Sequence, residues 1–241
     1  MLNDNLLKQL NSIYDYWFTQ FDYPNVNGKP YRQTGGQMEF NKQLKINIPN
    51  SWSVKPLSEL CDIVLGGTPN TEIDEYWNGN IHWLNSGEVA QLPVVSTELK
   101  ITQLGIDNSS TKLMPAGTTI VSITGNIRTS YLAIDTCANQ SVVGILENGI
   151  FKYPFIHQYL SRLIAKFTII STGNCQQHIN KGTIEDALVV IPDESTLNKY
   201  YEVVSPLYEM VTNLSLENEK LIHLRNWLLP MLMNGQATIT D

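Results

Sequence analysis

Cysteine is almost missing from this chain: Cys61, Cys137 and Cys175 are the only three in 241 residues. No CxxC pair exists and the number is odd, which argues against a disulfide framework and against a zinc site. Three inert, partly buried thiols are expected. The four histidines, His82, His157, His178 and His223, make no metal-spaced pair with one another or with a cysteine, so no bound metal is expected. No apolar run approaches the ~20 residues that cross a bilayer. The polar N-terminus also lacks the apolar stretch of a signal peptide, so a soluble, cytoplasmic protein is expected.

Catalytic motifs are missing as well. There is no Gly-rich phosphate loop followed by Lys-Ser/Thr, no G-x-G-x-x-G, and no G-x-S-x-G elbow. Nor is there an Asn/Asp-Pro-Pro-aromatic tetrapeptide of the kind amino-methyltransferases use to hold a flipped adenine. The chain is therefore read as a non-enzyme with no cofactor of its own. An independent enzyme remains the least favoured alternative.

Basic residues are outnumbered, 16 against 23 acidic, for a net charge of −7. That balance disfavours phosphate-rich partners overall, but the carboxylates are unevenly spread. None occurs between Glu147 and Glu185, an interval that holds Lys152, Arg162, Lys166 and Lys181. A second gap, Asp107 to Asp135, holds Lys112 and Arg128. With a Debye length of about 8–10 Å, a local basic face can exist on an acidic protein.

What the chain has is ample apolar material, 42% of residues, in three distinct patterns. Over residues 2–20, Leu6, Leu10, Ile13 and Trp17 recur at helical spacing. Residues 24–50 carry Asn-Gly, Gly-Gly and several prolines and read as irregular. Residues 51–192 are mixed. Leu57–Val64 reads as a short helix and Phe155–Ile170 as a second. In the second, His157, Gln158, Ser161, Arg162 and Lys166 lie opposite the apolar face. Short β-branched strands are expected at 81–85, 119–124, 131–134, 141–147 and 187–191. An α+β globule follows, its sheet largely antiparallel or barrel-like.

The third pattern is a heptad seam within residues 193–241. Leu197, Tyr200, Val204, Leu207, Val211, Leu214, Asn218, Leu221, Arg225 and Leu228 alternate three and four apart. Such a strip is about 50 Å long at 1.5 Å per residue and predicts a helical partner. The stripe of Leu6, Leu10, Ile13 and Trp17 can supply it, from the same chain or from a second copy. Asn218 in the seam would select register. Pro206 is expected to kink the rod or start a second helix, and Pro230 to end it.

Polar groups suited to base edges gather in the acid-poor loops: Arg128, Asn139, Gln140, Asn174, Gln176, Gln177, His178, Asn180 and Lys181. Arg reads guanine, Asn and Gln read adenine, and Lys fixes phosphates. With Arg162 and Lys166 they form the candidate DNA-binding set.

These marks together resemble the DNA-specificity subunit of a type I restriction–modification system, cut to one half. Tyr14–Phe18, Phe21–Pro24, Gly28–Tyr31 and Gly35–Met38 are similar to the segment leading into a target recognition domain, and Ile48–Trp52 to its beginning. Gly66-Gly67-Thr68-Pro69, Tyr76–Trp83 and Asn139-Gln140 resemble marks inside that domain, and Leu221–Gln236 its closing helix. The resemblance implies three parts: a conserved helix and connection (1–50), one recognition domain (51–192) and a long conserved helix (193–241). It implies a non-catalytic subunit that reads one half of a bipartite double-stranded DNA site and docks a methyltransferase subunit. S-adenosylmethionine would then belong to that partner, and ATP to a restriction motor-nuclease. The helices would form an antiparallel, coiled-coil-like spacer, and two half-length chains would pair as a homodimer. The alternative is a half-length chain that assembles or regulates the modification complex without reading DNA.

Overall fold

The computed structural model describes residues 2–171 and 179–235. Helix α1 (Leu2–Tyr14) runs into a π-helical turn, Asp15–Thr19. A hairpin of β1 (Met38–Asn41) and β2 (Ile46–Pro49) follows. The remaining elements are β3 (Ser53–Pro56), β4 (Ile63–Leu65), β5 (Trp77–Leu84), β6 (Leu99–Ile101), α2 (Gln103–Asp107), β7 (Thr119–Ser122), β8 (Thr129–Tyr131), β9 (Thr136–Ala138), β10 (Val142–Ile145), α3 (Tyr153–Ser171), α4 (Lys181–Glu185), β11 (Leu188–Ile191) and α5 (Glu194–Met233). The architecture is α+β, as the sequence predicts.

The strands form four small sheets: β1-β2, β4-β10-β7-β8, β11-β3 and β6-β5-β9. All pairings are antiparallel except β5 with β9. Strands β7 and β10 are buried at every position, as expected for central strands covered on both faces.

Two local expectations are corrected. The 24–50 connection contains the β1–β2 hairpin, because Asn41 Oδ1 accepts from the backbone N–H groups of Gln43 and Leu44 and closes a turn through Lys45, at φ 56°. The expected helix at 57–64 is a single 3₁₀ turn, Leu57–Glu59, followed by β4. There Ile63 and Val64 pair with Ile145 and Gly144 of β10. Ladder pairing of β-branched residues outweighs a weak helical preference.

All three parts of the chain share one core. Leu6, Leu10, Tyr14, Trp17 and Phe18 of the N-terminal helix pack in the same cluster as Val121, Val143, Leu160, Leu197, Tyr200 and Val204. Ring centroids of Tyr14, Trp17 and Phe18 lie 6.3, 5.8 and 4.8 Å from Tyr200, a geometry worth about 0.5–1.5 kcal/mol per pair beyond area burial.

This packing revises the reading of the heptad strip. Leu197, Tyr200, Val204 and Val211 are buried, and Leu207 and Leu214 half-buried, against the chain's own globule. Beyond them Asn218 and Leu221 are exposed. Only the last stretch of the strip is therefore left for a partner. Neither proline breaks α5. Pro206 faces solvent, so the Glu202 carbonyl that loses its helical donor there is on the side open to water. The helix ends past Pro230, at Asn234 and at Gly235, whose φ of +68° suits glycine.

Helix α3 is also covered more fully than its pattern predicts. His157 and Gln158, expected on the polar face, are buried. Both meet the Tyr208 hydroxyl of α5, His157 Nδ1 at 3.2 Å and Gln158 Nε2 donating at 3.1 Å. A buried polar face is tolerated when its groups find partners in this way.

Candidate nucleic-acid interface

Three loops meet at one end of the β4-β10-β7-β8 sheet. Strand β4 runs out at Leu65, β7 at Ser122, and β10 begins at Val142. Register places Leu65 opposite Val143, and Ser122 opposite Val142. The Gly66–Pro69 loop, the β7–β8 turn and the Asn139–Ser141 link are therefore neighbours. Backbone bonds stitch them together: Gly66 N–H to Val142 O at 3.0 Å, Gly67 N–H to Ala138 O at 2.8 Å, and Ile123 N–H to Ser141 O at 2.9 Å.

The two glycines are required by this approach. A Cβ on Gly66 would sit on the Asn139 carbonyl oxygen, and one on Gly67 would meet Ser110 Oγ and the Thr111 nitrogen. The Trp83 indole N–H donates to Gly67 O at 3.1 Å, and the Thr68 hydroxyl donates to Gln140 Oε1. Motifs separated by more than 70 residues in sequence thus meet in one surface patch. Gln140, in the Asn139–Ser141 link, and Arg128, in the neighbouring β7–β8 turn, are both exposed. The Arg128 N–H donates to Ser122 Oγ at 2.9 Å, and Ser122 Oγ donates to Asn126 O at 2.8 Å, which fixes the turn carrying the guanidinium. Asn139 is half-buried, and its Oδ1 accepts from the Ser141 N–H at 3.0 Å. Its role visible here is to shape the loop that presents Gln140.

Other members of the candidate set have different occupations. Arg162 does not face solvent with Lys166. Its Nε donates to Asp15 Oδ1 at 2.7 Å, Nη1 to Gln158 O and Oε1 at 3.0 and 2.7 Å, and Nη2 to Asn11 O at 2.9 Å. The guanidinium also lies 4.3 Å from the Tyr14 ring centroid. It ties α3 to the turn at the end of α1 and holds the Asp15 carboxyl below its usual range. Asn180 is the N-cap of α4, accepting from the Thr183 N–H at 2.8 Å within a capping box. Lys181 pairs with Glu185 at 2.8 Å. The long carboxylate-free interval in sequence is therefore not carboxylate-free in space, since Asp15 and Glu185 reach its cations. Lys166 is exposed. Asn174, Gln176, Gln177 and His178 lie outside the described residues.

Thr68 was legible only as part of its Gly-Gly-Thr-Pro motif; nothing in sequence signals its bond to Gln140. Cys61 and Cys137 are buried, and burial pushes their thiols up to about 12 and about 11, which leaves them protonated and unreactive. Among the described residues no group of three His, Cys, Asp or Glu side chains is placed to hold a metal, and no helix is long and apolar enough to cross a membrane.

The structure resembles the S subunit of the type I restriction–modification system from M. genitalium, with TM-score 0.56, 12% identity, and coverage of 95% of this chain and 52% of that one. It also resembles the HsdS subunit from Thermoanaerobacter tengcongensis, with TM-score 0.50, 14% identity, and coverage of 89% and 50%. These likenesses show the fold. Residues 34–224 match the type I restriction modification DNA specificity domain, and the chain belongs to that family. Among curated relatives, the specificity subunit of the type I restriction enzyme MjaIX from Methanocaldococcus jannaschii is 24% identical over 191 residues, 76% of this chain and 44% of that protein. The HindI specificity subunit from Haemophilus influenzae is 23% identical over 194 residues, 78% and 42%. The chain thus spans less than half the length of these relatives. Membership in a family of specificity subunits accords with the non-catalytic reading of the sequence.

Proposed function

We propose that this chain is the DNA-reading component of a type I restriction–modification complex and recognises one half of a bipartite site. The observation that carries the reading is the meeting of the 66–69, 123–128 and 139–141 loops, which brings the exposed residues Arg128 and Gln140 to the same end of one sheet in a family domain. An exposed guanidinium and an exposed amide match the major-groove edges of guanine and adenine. Exposed Lys166 on α3 supplies a phosphate contact. Methyl transfer from S-adenosylmethionine belongs to a docked methyltransferase subunit, and ATP-driven cleavage to a motor-nuclease subunit.

A second copy of the chain supplies the other half-site. Past Leu214, Leu221, Leu224, Leu228 and Leu232 follow one another three or four apart on α5, Leu228 half-buried and the other three exposed, and a strip at that spacing is what a partner helix covers. Two such ends, antiparallel, place identical readers in opposite orientation, so the target is a spaced palindrome.

The test is to map methylated adenines in cells that carry the methyltransferase with and without this chain. A palindromic two-part target that appears only with the chain is the expected result. No chain-dependent target, with the complex still assembled, would leave the assembly or regulatory role in its place.

A further inference from the structure

Helix α5 is held to the globule by polar groups on a single stripe. Tyr208, Thr212 and Glu219 are spaced four and seven apart, so they fall on one face. Tyr208 is gripped by His157 and Gln158 of α3. The Thr212 hydroxyl bonds the Tyr131 hydroxyl at 3.1 Å. Glu219 Oε1 accepts from the Ser96 hydroxyl at 2.8 Å. The last fully buried residue of the helix is Val211, so at Glu219 a polar bond takes over from packing.

Ser96 is well rooted. Two residues earlier, Val94 is buried, its N–H donates to Tyr131 O at 3.0 Å, and its carbonyl accepts from the Ala133 N–H at 2.9 Å. On the other side Thr97 Oγ1 lies 2.9 Å from His82 Nδ1 and donates to Leu99 O at 2.8 Å. Glu219 is steadied as well. Its Oε1 lies 3.1 Å from Nε2 of His223, one turn further along α5. Tyr131 joins the system: its carbonyl anchors the Ser96 loop while its hydroxyl holds Thr212.

We infer that the Ser96–Glu219 bond is a pin that sets the angle between the DNA-reading domain and the free end of α5, and thereby the spacing of the two half-sites. The inference rests on the dimeric, two-half-site reading given above. From Thr212 to Met233 the helix extends about 31 Å, and from Glu219 about 21 Å. One base pair rises about 3.4 Å. A tilt of about 6° about Thr212 would therefore move the helix end by one base-pair rise, well inside the ±15–20° scatter that helix packing tolerates. Holding the helix two turns further out shortens the free lever and limits that tilt. Ser96 and Glu219 are thus positioning residues that contact neither base nor phosphate.

The experiment uses the full chain with its methyltransferase and a set of DNA targets whose spacers differ by one base pair. Ser96→Ala and Glu219→Ala are expected to lower discrimination between neighbouring spacer lengths by about fivefold, the weight of one net hydrogen bond, with the preferred half-site bases unchanged. Ser96→Thr and Glu219→Gln, which keep a donor and an acceptor, should restore it. A lost fold would relax no spacing preference and would abolish methylation on every target. Spin labels at Lys100→Cys and Arg225→Cys, in a Cys175→Ser background, should show a broader distance distribution when Ser96 is Ala. An unchanged spacer profile in both alanine variants, with the wild type reading a two-part target, overturns the pin alone. A wild type with no two-part target overturns the dimeric reading and the pin with it.

Discussion

Arg162 Nε meets Asp15 Oδ1 at 2.7 Å, joining α3 to the turn that ends α1 across 147 residues of sequence. The same guanidinium caps the Asn11 carbonyl and bonds Gln158, so one side chain satisfies groups from two helices. Arg162→Ala is expected to cost about 2 kcal/mol, because the partners left behind are only partly reached by water. Arg162→Lys should recover little, since an ammonium cannot reproduce the planar fork. Urea denaturation measures both. In DNA binding, Lys166→Glu should flatten the salt dependence, whereas folded Arg162→Lys should keep the wild-type slope. An equal loss of slope in the two variants would return Arg162 to the DNA face.

Gly66→Ala should disturb the interface more than its size suggests. Its methyl would be driven into the Asn139 carbonyl, and backbone on both sides cannot yield cheaply. A loss of about 1–3 kcal/mol is expected, together with altered target preference as the loop carrying Gln140 moves. Thermal unfolding and methylation mapping report the two effects. A variant with wild-type stability and target would show that the loops tolerate separation.

His157 makes stability depend on pH. Burial, with a smaller contribution from the Arg162 charge, pulls its pKa from 6.5 down to about 4. The folded state therefore holds the ring neutral where the unfolded chain would protonate it. This stabilising contribution is complete above about pH 6.5 and is lost as pH falls toward 4. A shift of that size corresponds to on the order of 3 kcal/mol. Denaturation midpoints should drop between pH 6.5 and 4 in the wild type, and drop less in His157→Gln. Asp15 acts in a lower window, since its carboxyl is held below 3.8.

The end of α5 should separate assembly from folding. Leu221→Glu with Leu228→Glu is expected to give a monomer by sedimentation equilibrium, with the melting temperature of the globule nearly unchanged, because neither side chain is in the core. Asn218→Leu should instead strengthen association and loosen register, seen as tolerance of altered spacers. Sedimentation of the wild type as a monomer at high concentration, with the methyltransferase present, would remove the dimer.

Periodicity made the helices legible, because a buried face imposes its spacing on sequence directly. Leu6, Leu10 and Trp17, and Leu197 through Val211, were visible for that reason. The hairpin at 38–49 was hidden because Asn41 closes it through a side-chain bond that leaves no repeat. At the site, residue type was legible and occupation was not. Arg162 and Asn180 have the chemistry of DNA contacts, yet Asp15 and Thr183 claim them through contacts that depend on the tertiary fold or on a helix start. Gly66, Gly67, Thr68 and Gln140 were marked by motif, while their meeting at one sheet end required the β4-β10-β7 register.

Of the five tryptophans, Trp17, Trp52 and Trp83 are buried and Trp77 is half-buried, whereas Trp227 is 60% exposed near the end of α5. An indole in water emits at longer wavelength than one in an apolar setting and is more open to a dissolved quencher. The molecule thus carries its own optical gauge of whatever covers the rod. The reddest and most quenchable part of its fluorescence comes from Trp227, the most exposed of the five, and it should shift to the blue and become shielded as a second helix closes over that end, with no label attached.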